Sequence, residues 1–272
     1  MVNRLWSIVA ARSAAPSSIV YRLSSFFKAF PGISMEHSPM TKTLGIIGGM
    51  GPLASALFLR KVVESVTAGK DQDHPRIVMD SNPAIIPDRT AAVLGEGPSP
   101  APGIIQTGRI LIAAGADFLA MPCVTAHAFF DKIQSGLGKP VIHMLRETRA
   151  LAERLWPGAR PGLLGTEGTL KTGLFDNLFK PAEIILPDTQ TQKELINLAI
   201  ACVKGGDIES ARPLILRAAQ TLTEKGADLI IAGCTEVPLM LRSRDTSVPV
   251  LDPMDALARA CVRHWHETDD RP

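Results

Sequence analysis

The chain has 272 residues, 46% of them apolar, and a formal net charge of +2. This composition excludes a disordered or fibrous protein and supplies enough apolar material for one or two α/β domains. No apolar run reaches the ~18–20 residues a membrane helix needs, and near-neutral charge argues against a nucleic-acid partner. Four cysteines (Cys123, Cys202, Cys234, Cys261), none in a C-x-x-C pair, make neither a disulfide framework nor a structural zinc site. The expected class is a soluble, cytoplasmic globular protein.

Residues 1–40 read as a leader, disordered or cleaved. Residues 1–34 hold Arg4, Arg12, Arg22 and Lys28 with no acid, so the remainder of the chain carries −2. An Arg- and Ser-rich, acid-poor start has the texture of an organelle transit peptide. The alternative is an upstream extension, with the functional start at Met35 or Met40.

From Thr43 short apolar runs alternate with amphipathic ones. The sequence predicts strands at Thr43–Ile47, Arg76–Asp80, Asp117–Met121, Pro140–His143, Pro161–Leu164, Glu183–Leu186, Asp228–Ala232 and Val248–Leu251. Helices are predicted near 53–67, 102–114, 126–136, 145–155, 169–179, 189–204, 208–225 and 253–266. Such alternation with short connections predicts an α/β protein whose parallel sheets are flanked by helices. Uninterrupted apolar strands such as Leu229–Ile231 suit sheets buried on both faces.

An internal repeat divides this body. Glycines 45, 48 and 51 recur 117 residues later as Gly162, Gly165 and Gly168, and Gly115-Ala-Asp recurs 111 residues later as Gly226-Ala-Asp. In each copy a cysteine, Cys123 or Cys234, follows that Gly-Ala-Asp glycine by eight residues. Two pseudo-symmetric domains are expected: 41–140 plus 246–268, and 141–245, with the active site in the cleft between them. The helix after Pro253 is expected to return to the first domain.

Ligands of open α/β sheets bind beyond the carboxyl ends of the strands, where both cysteines fall. A thiol beside a helix N-terminus has a lowered pKa. Two thiols approaching one cleft from opposite sides suit stereoinversion, one removing a Cα proton and the other returning a proton to the opposite face. Free cysteine is also simply a small buried hydrophobe, the expected role of Cys202 and Cys261. His127 could pair with Cys123 around a metal, but it lacks further ligands nearby, so no metal is expected.

Gly45-Ile-Ile-Gly-Gly-Met-Gly-Pro-Leu-Ala-Ser55, Asp71-Gln-Asp-His74, Ile86-Pro-Asp-Arg-Thr90, Met121-Pro-Cys-Val-Thr-Ala-His127 and Gly233-Cys-Thr-Glu-Val-Pro238 together resemble the aspartate/glutamate racemase family, nearest its aspartate racemase branch. The resemblance runs from about residue 43 to 266. It implies a homodimeric, cofactor-independent (PLP-independent) isomerase, an amino-acid racemase with Cys123 and Cys234 as acid/base pair. It also implies Asp88, Arg89 and Lys204 as charged groups at the substrate. Physically, an arginine fork matches a carboxylate and a second cation neutralises a dianion. For Lys204 a solvated helix end, and for Asp88–Arg89 a loop ion pair, stand as alternatives.

The loop containing Gly49 and Met50 opens a helix at Pro52, where backbone N–H groups suit a carboxylate, with Ser55 nearby. No Gly-Lys-Ser/Thr follows, so it is not a nucleotide loop. Asn82 has donors for a carboxylate, or makes an Asn-Pro turn. Thr125 and Thr235 flank the cysteines, Glu236 is placed to assist Cys234, and Thr166, Gly168 and Thr169 are expected to shape the cleft. One position departs from the family pattern: Val124 stands where Asn is usual. Valine offers a substrate carboxylate no donor, which puts substrate identity in question. An aspartate- or glutamate-type racemase is expected. The alternatives are a related isomerase of another small amino or dicarboxylic acid, and a non-catalytic binder.

Overall fold

A computed structural model describes residues 42–267 except 177 and 180–183. The 1–40 leader and the start of the strand expected at Glu183–Leu186 lie outside the described residues.

The first half contains β1 (Leu44–Gly48), α1 (Pro52–Glu64), β2 (Ile77–Ser81), α2 (Arg89–Leu94), α3 (Ala101–Ala113), β3 (Phe118–Ala120), α4 (Phe130–Ser135) and β4 (Val141–Ile142). Then follow α5 (Met144–Leu155), β5 (Pro161–Leu163), α6 (Glu167–Lys171), a helical run from Thr189 that ends as α7 (Leu198–Lys204), α8 (Ile208–Glu224), β6 (Leu229–Ile231), α9 (Val237–Met240), β7 (Val250–Leu251) and α10 (Pro253–His266). The amphipathic periods predicted most of these. The helix expected at 169–179 is shorter, running as α6 and then turns, and α2 and α9 are too short to show a period.

Two parallel sheets result, β2-β1-β3-β4 and β5-β6-β7. The strand expected at 183–186 is reduced to one bridge, Gly162 to Ile185. Counting that bridge as an edge, the second sheet has the strand order of the first, as the repeat requires. β4 completes the first sheet and β7 the second. The exchange points between sheets therefore lie after 142 and after 251, not at the expected 140 and 246.

Strand alternation distributes the apolar residues. Leu44, Ile46, Phe118 and Ala120 from one sheet and Leu163, Leu229 and Ile231 from the other meet in one shared core with α10 residues Met254 and Leu257. Ile47, Leu119 and Met121 face α3 (Ile104, Leu111), while Leu164, Ile230 and Ala232 face α8. α10 packs against α1 and α5, so the returning helix bridges the halves instead of serving the first alone. Gly45 permits close approach of the outer layer, since a Cβ there would lie 2.5 Å from Leu119 Cδ2.

Candidate active site

Cys123 lies three residues past the end of β3 and Cys234 three past the end of β6. Equivalent strand ends in the two sheets thus place both thiols on one cleft. Each cysteine is only 6% exposed. Its other lining residues are Met50, Asp88, Arg89, Thr90, Val124, Thr125, Thr166, Lys204, Thr235 and Glu236. Of the expected site residues, Gly49 and Asn82 fall outside this lining. Gly49 has φ +88° and backs onto the Asn82–Pro83 backbone, where a Cβ would sit 2.9 Å from Pro83 N. The Asn82–Pro83 backbone thus packs against the loop that carries Met50. Ser55 also serves that loop, its Oγ accepting from Gly49 N–H (3.0 Å) and donating to the Gly51 carbonyl (2.8 Å).

Cys202 is half-buried and Cys261 buried, both away from the cleft. Burial pushes the Cys261 thiol well up, as suits a packing residue.

The two site thiols have different neighbours. Cys234 Sγ donates to Glu236 Oε2 at 2.8 Å, and the Thr235 hydroxyl donates to the same oxygen at 3.4 Å. Burial and the adjacent carboxylate push Cys234 well above the ordinary thiol range, against which the charge of Lys204 pulls. This corrects the expectation of a thiol lowered by a helix N-terminus: α9 has only four residues, and desolvation with a nearby anion outweighs it.

Cys123 has a histidine behind its backbone. His127, in the 3-10 turn Thr125–Phe129, bonds the Cys123 carbonyl through Nδ1 at 2.8 Å. Its Nε2 accepts the Met144 N–H at 3.2 Å, which assigns the Nδ1–H tautomer. Burial and neighbouring His143 hold its pKa down at about 3, so it is neutral. Among the described residues no group of three or more His, Cys, Asp or Glu is arranged to hold a metal ion.

The charged residues come from both halves. Asp88 caps α2 by accepting from Ala91 N–H at 2.8 Å. Burial opposes its ionisation, but that bond, Lys204 and Arg89 together hold its pKa below the ordinary carboxylate range. Arg89 Nη1 donates to the Pro87 carbonyl at 3.3 Å, while its buried Nε has no hydrogen-bond partner among the described residues. Lys204 ends α7 and reaches the cleft from the other half. Val124 is 2% exposed, lining the cleft while packed in the shared core.

Thr90 and Thr166 also line the cleft. Thr90 closes the Ile86–Thr90 motif. Its signal is that it directly follows Arg89 in the first turn of α2.

The family model for Asp/Glu/Hydantoin racemases matches residues 47–261, and the chain belongs to that family. It is an amino-acid racemase and therefore an isomerase. The broad specificity amino-acid racemase RacX of Bacillus subtilis is 28% identical over 226 residues, which cover 80% of this chain and 96% of that protein. Among solved structures, the aspartate racemase of Picrophilus torridus superposes with TM-score 0.74 at 29% identity, covering 84% of this chain and 95% of that one. A putative Asp/Glu racemase from Yersinia pestis gives TM-score 0.68 at 27% identity, covering 83% and 100%. No helix among the described residues is long and apolar enough to cross a membrane.

Proposed function

We propose that Cys123 and Cys234 are the opposed acid and base of a cofactor-independent racemase acting on aspartate or glutamate. The carrying observation is that duplicated strand ends bring two buried thiols to one cleft that also holds Arg89 with an unpartnered donor. In one direction the Cys123 thiolate takes the Cα proton while the Cys234 thiol gives one to the opposite face. In the other direction the roles exchange: the Cys234 thiolate, whose proton Glu236 Oε2 is in contact to accept, takes the Cα proton while the Cys123 thiol gives one to the opposite face. Arg89 and Lys204 hold the substrate carboxylates, and Met50, Thr125 and Thr235 line the space around them. Asp88 holds α2 in place by its cap and balances Lys204. The homodimer implied by the resemblance and the cytoplasmic setting expected from the composition belong to this reading.

A second reading is favoured by Val124. With an apolar side chain at this wall, the cleft suits another small amino or dicarboxylic acid, in keeping with a relative named for broad specificity. A panel of amino acids incubated in deuterated water, followed by chiral separation and mass spectrometry, tests both. Inversion with deuterium uptake, abolished in Cys123→Ser and in Cys234→Ser, is expected. Full activity in either variant rejects the two-thiol mechanism, and the preferred amino acid decides between the substrate readings.

A further inference from the structure

One buried turn touches three segments that carry the proposed reacting and binding groups. Thr166 caps α6, its Oγ1 accepting from Thr169 N–H at 3.1 Å. Thr169 is 1% exposed and does not line the cleft. Its Oγ1 lies 3.0 Å from Thr125 Oγ1, 3.0 Å from Thr166 Oγ1 and 3.5 Å from the Gly233 carbonyl oxygen. Thr125 is two residues past Cys123, and Gly233 immediately precedes Cys234.

A hydroxyl has one proton and two lone pairs. With Thr169 donating to the Gly233 carbonyl, its oxygen is free to accept from Thr125 and Thr166, whose own hydroxyl oxygens lie 3.2 Å apart. Gly168, in the same turn, meets the α2 backbone directly. A Cβ there would lie 3.1 Å from Thr90 Cα, next to Arg89. Any side chain at 168 would push α2 away from α6.

We propose that the Thr166–Thr169 turn fixes the separation of the two cysteine loops and seats the Arg89 helix, with Thr169 as a positioning residue acting through Thr125 and Gly233. This rests on the reading of Cys123 and Cys234 as the acid/base pair. Inversion needs the two sulfurs on opposite faces of one carbon at fixed reach, and a misplacement of about 1 Å costs up to ~100-fold in rate. A loosened pair has a distinct failure: one thiol still exchanges the Cα proton while the other misses the carbanion. Exchange with retention then grows relative to inversion.

The test uses the full chain and an amino acid that the wild type inverts, in deuterated water. Thr169→Val, close in shape but without the hydroxyl, is expected to lower kcat at least about tenfold, leave KM within about twofold and raise the ratio of exchange to inversion. Thr169→Ser, which restores the hydroxyl, is expected to recover both kcat and the ratio. A valine variant with wild-type kcat and ratio overturns the proposal. So does a serine variant as impaired as valine, because packing alone is then what matters. Should the valine variant not fold, Gly168→Ala is read instead, with a raised KM expected through the Arg89 helix and an unchanged KM counting against the proposal. A wild type that neither exchanges nor inverts any amino acid overturns the acid/base reading and this inference with it. Active wild type with an indifferent Thr169 overturns the inference alone.

Discussion

Val124 and Glu236 are the single side chains on which the proposed substrate choice and proton cycling turn. The valine is legible as a departure in the sequence, and in the fold its side chain belongs to both the cleft wall and the shared core. Val124→Asn is expected to raise kcat/KM for aspartate, because the amide supplies donors that a carboxylate in a desolvated pocket needs. The same change is expected to cost about 1–3 kcal/mol of stability where the amide finds no partner in the unliganded protein. Steady-state kinetics and urea unfolding check the two parts. Glu236 has opposing effects on Cys234, raising its pKa as a neighbouring anion while offering to accept its proton. Glu236→Gln is therefore expected to move alkylation of Cys234 to lower pH, since removing the anion favours the thiolate. Racemisation is expected to slow at the same time, because the proton acceptor is gone. Faster alkylation together with unchanged racemisation would reject the relay. Sequence adjacency suggested a role for Glu236, whereas the 2.8 Å contact and the raised thiol depend on burial that adjacency does not encode.

The recurring strand-to-cysteine element is the same in both halves, but its support differs. Behind Cys123 the neutral His127 ring ties the cysteine loop to the first N–H of α5, that of Met144, which a helix start would otherwise leave unpaired. With a folded pKa of about 3 against an ordinary 6.5, this histidine contributes stability that is fully present above about pH 6.5 and is lost as pH falls towards 3. One such group gives a slope of up to ~1.4 kcal/mol per pH unit. His127→Asn, which does not titrate, is expected to flatten the loss of stability between pH 6.5 and 4.5. Urea midpoints of both proteins across that range check it, and parallel curves would count against it. The spacing of Cys123 and His127 left a metal pair open. The ring serves the backbone because both its nitrogens are used within the loop and α5, an assignment that the distant Met144 decides.

At the scale of the whole molecule, the two halves are joined by the shared core and by α10. Asp252 caps α10 by accepting from Met254 N–H at 2.8 Å, and Lys61 of α1 reaches Asp252 at 2.9 Å and Asp255 at 2.5 Å. Burial lifts Asp252 to about 6, with Lys61 pulling the other way. Lys61→Met is expected to destabilise the fold by roughly 3 kcal/mol at pH 7.5, since it leaves a buried carboxylate without its cation. The sign with pH follows from a folded pKa raised above the unfolded value. Losing Lys61 raises it further, so the deficit is expected to shrink as pH falls towards 5 and Asp252 takes up a proton. Adding Asp252→Asn is expected to recover part of the loss at pH 7.5. Denaturant unfolding of the three variants at both pH values checks this, and a deficit independent of pH would reject it.

By itself the sequence determined the α/β class, the two-fold repeat, the strand ends that carry Cys123 and Cys234, and the family. The first three follow from local periodicity and motif spacing and the family from the motifs' resemblance, all of which survive without knowledge of distant contacts. Tertiary structure decided where the sheets exchange strands, because β4 and β7 are two-residue strands whose partners, not their composition, assign them. It also decided that Thr90 lines the cleft beside Arg89. Even the meaning of the −2 charge on the body is a tertiary matter. Arg89 and Lys204 lie far apart along the chain, and only the packing of the two halves brings them to one cleft beside two thiols whose neighbours differ.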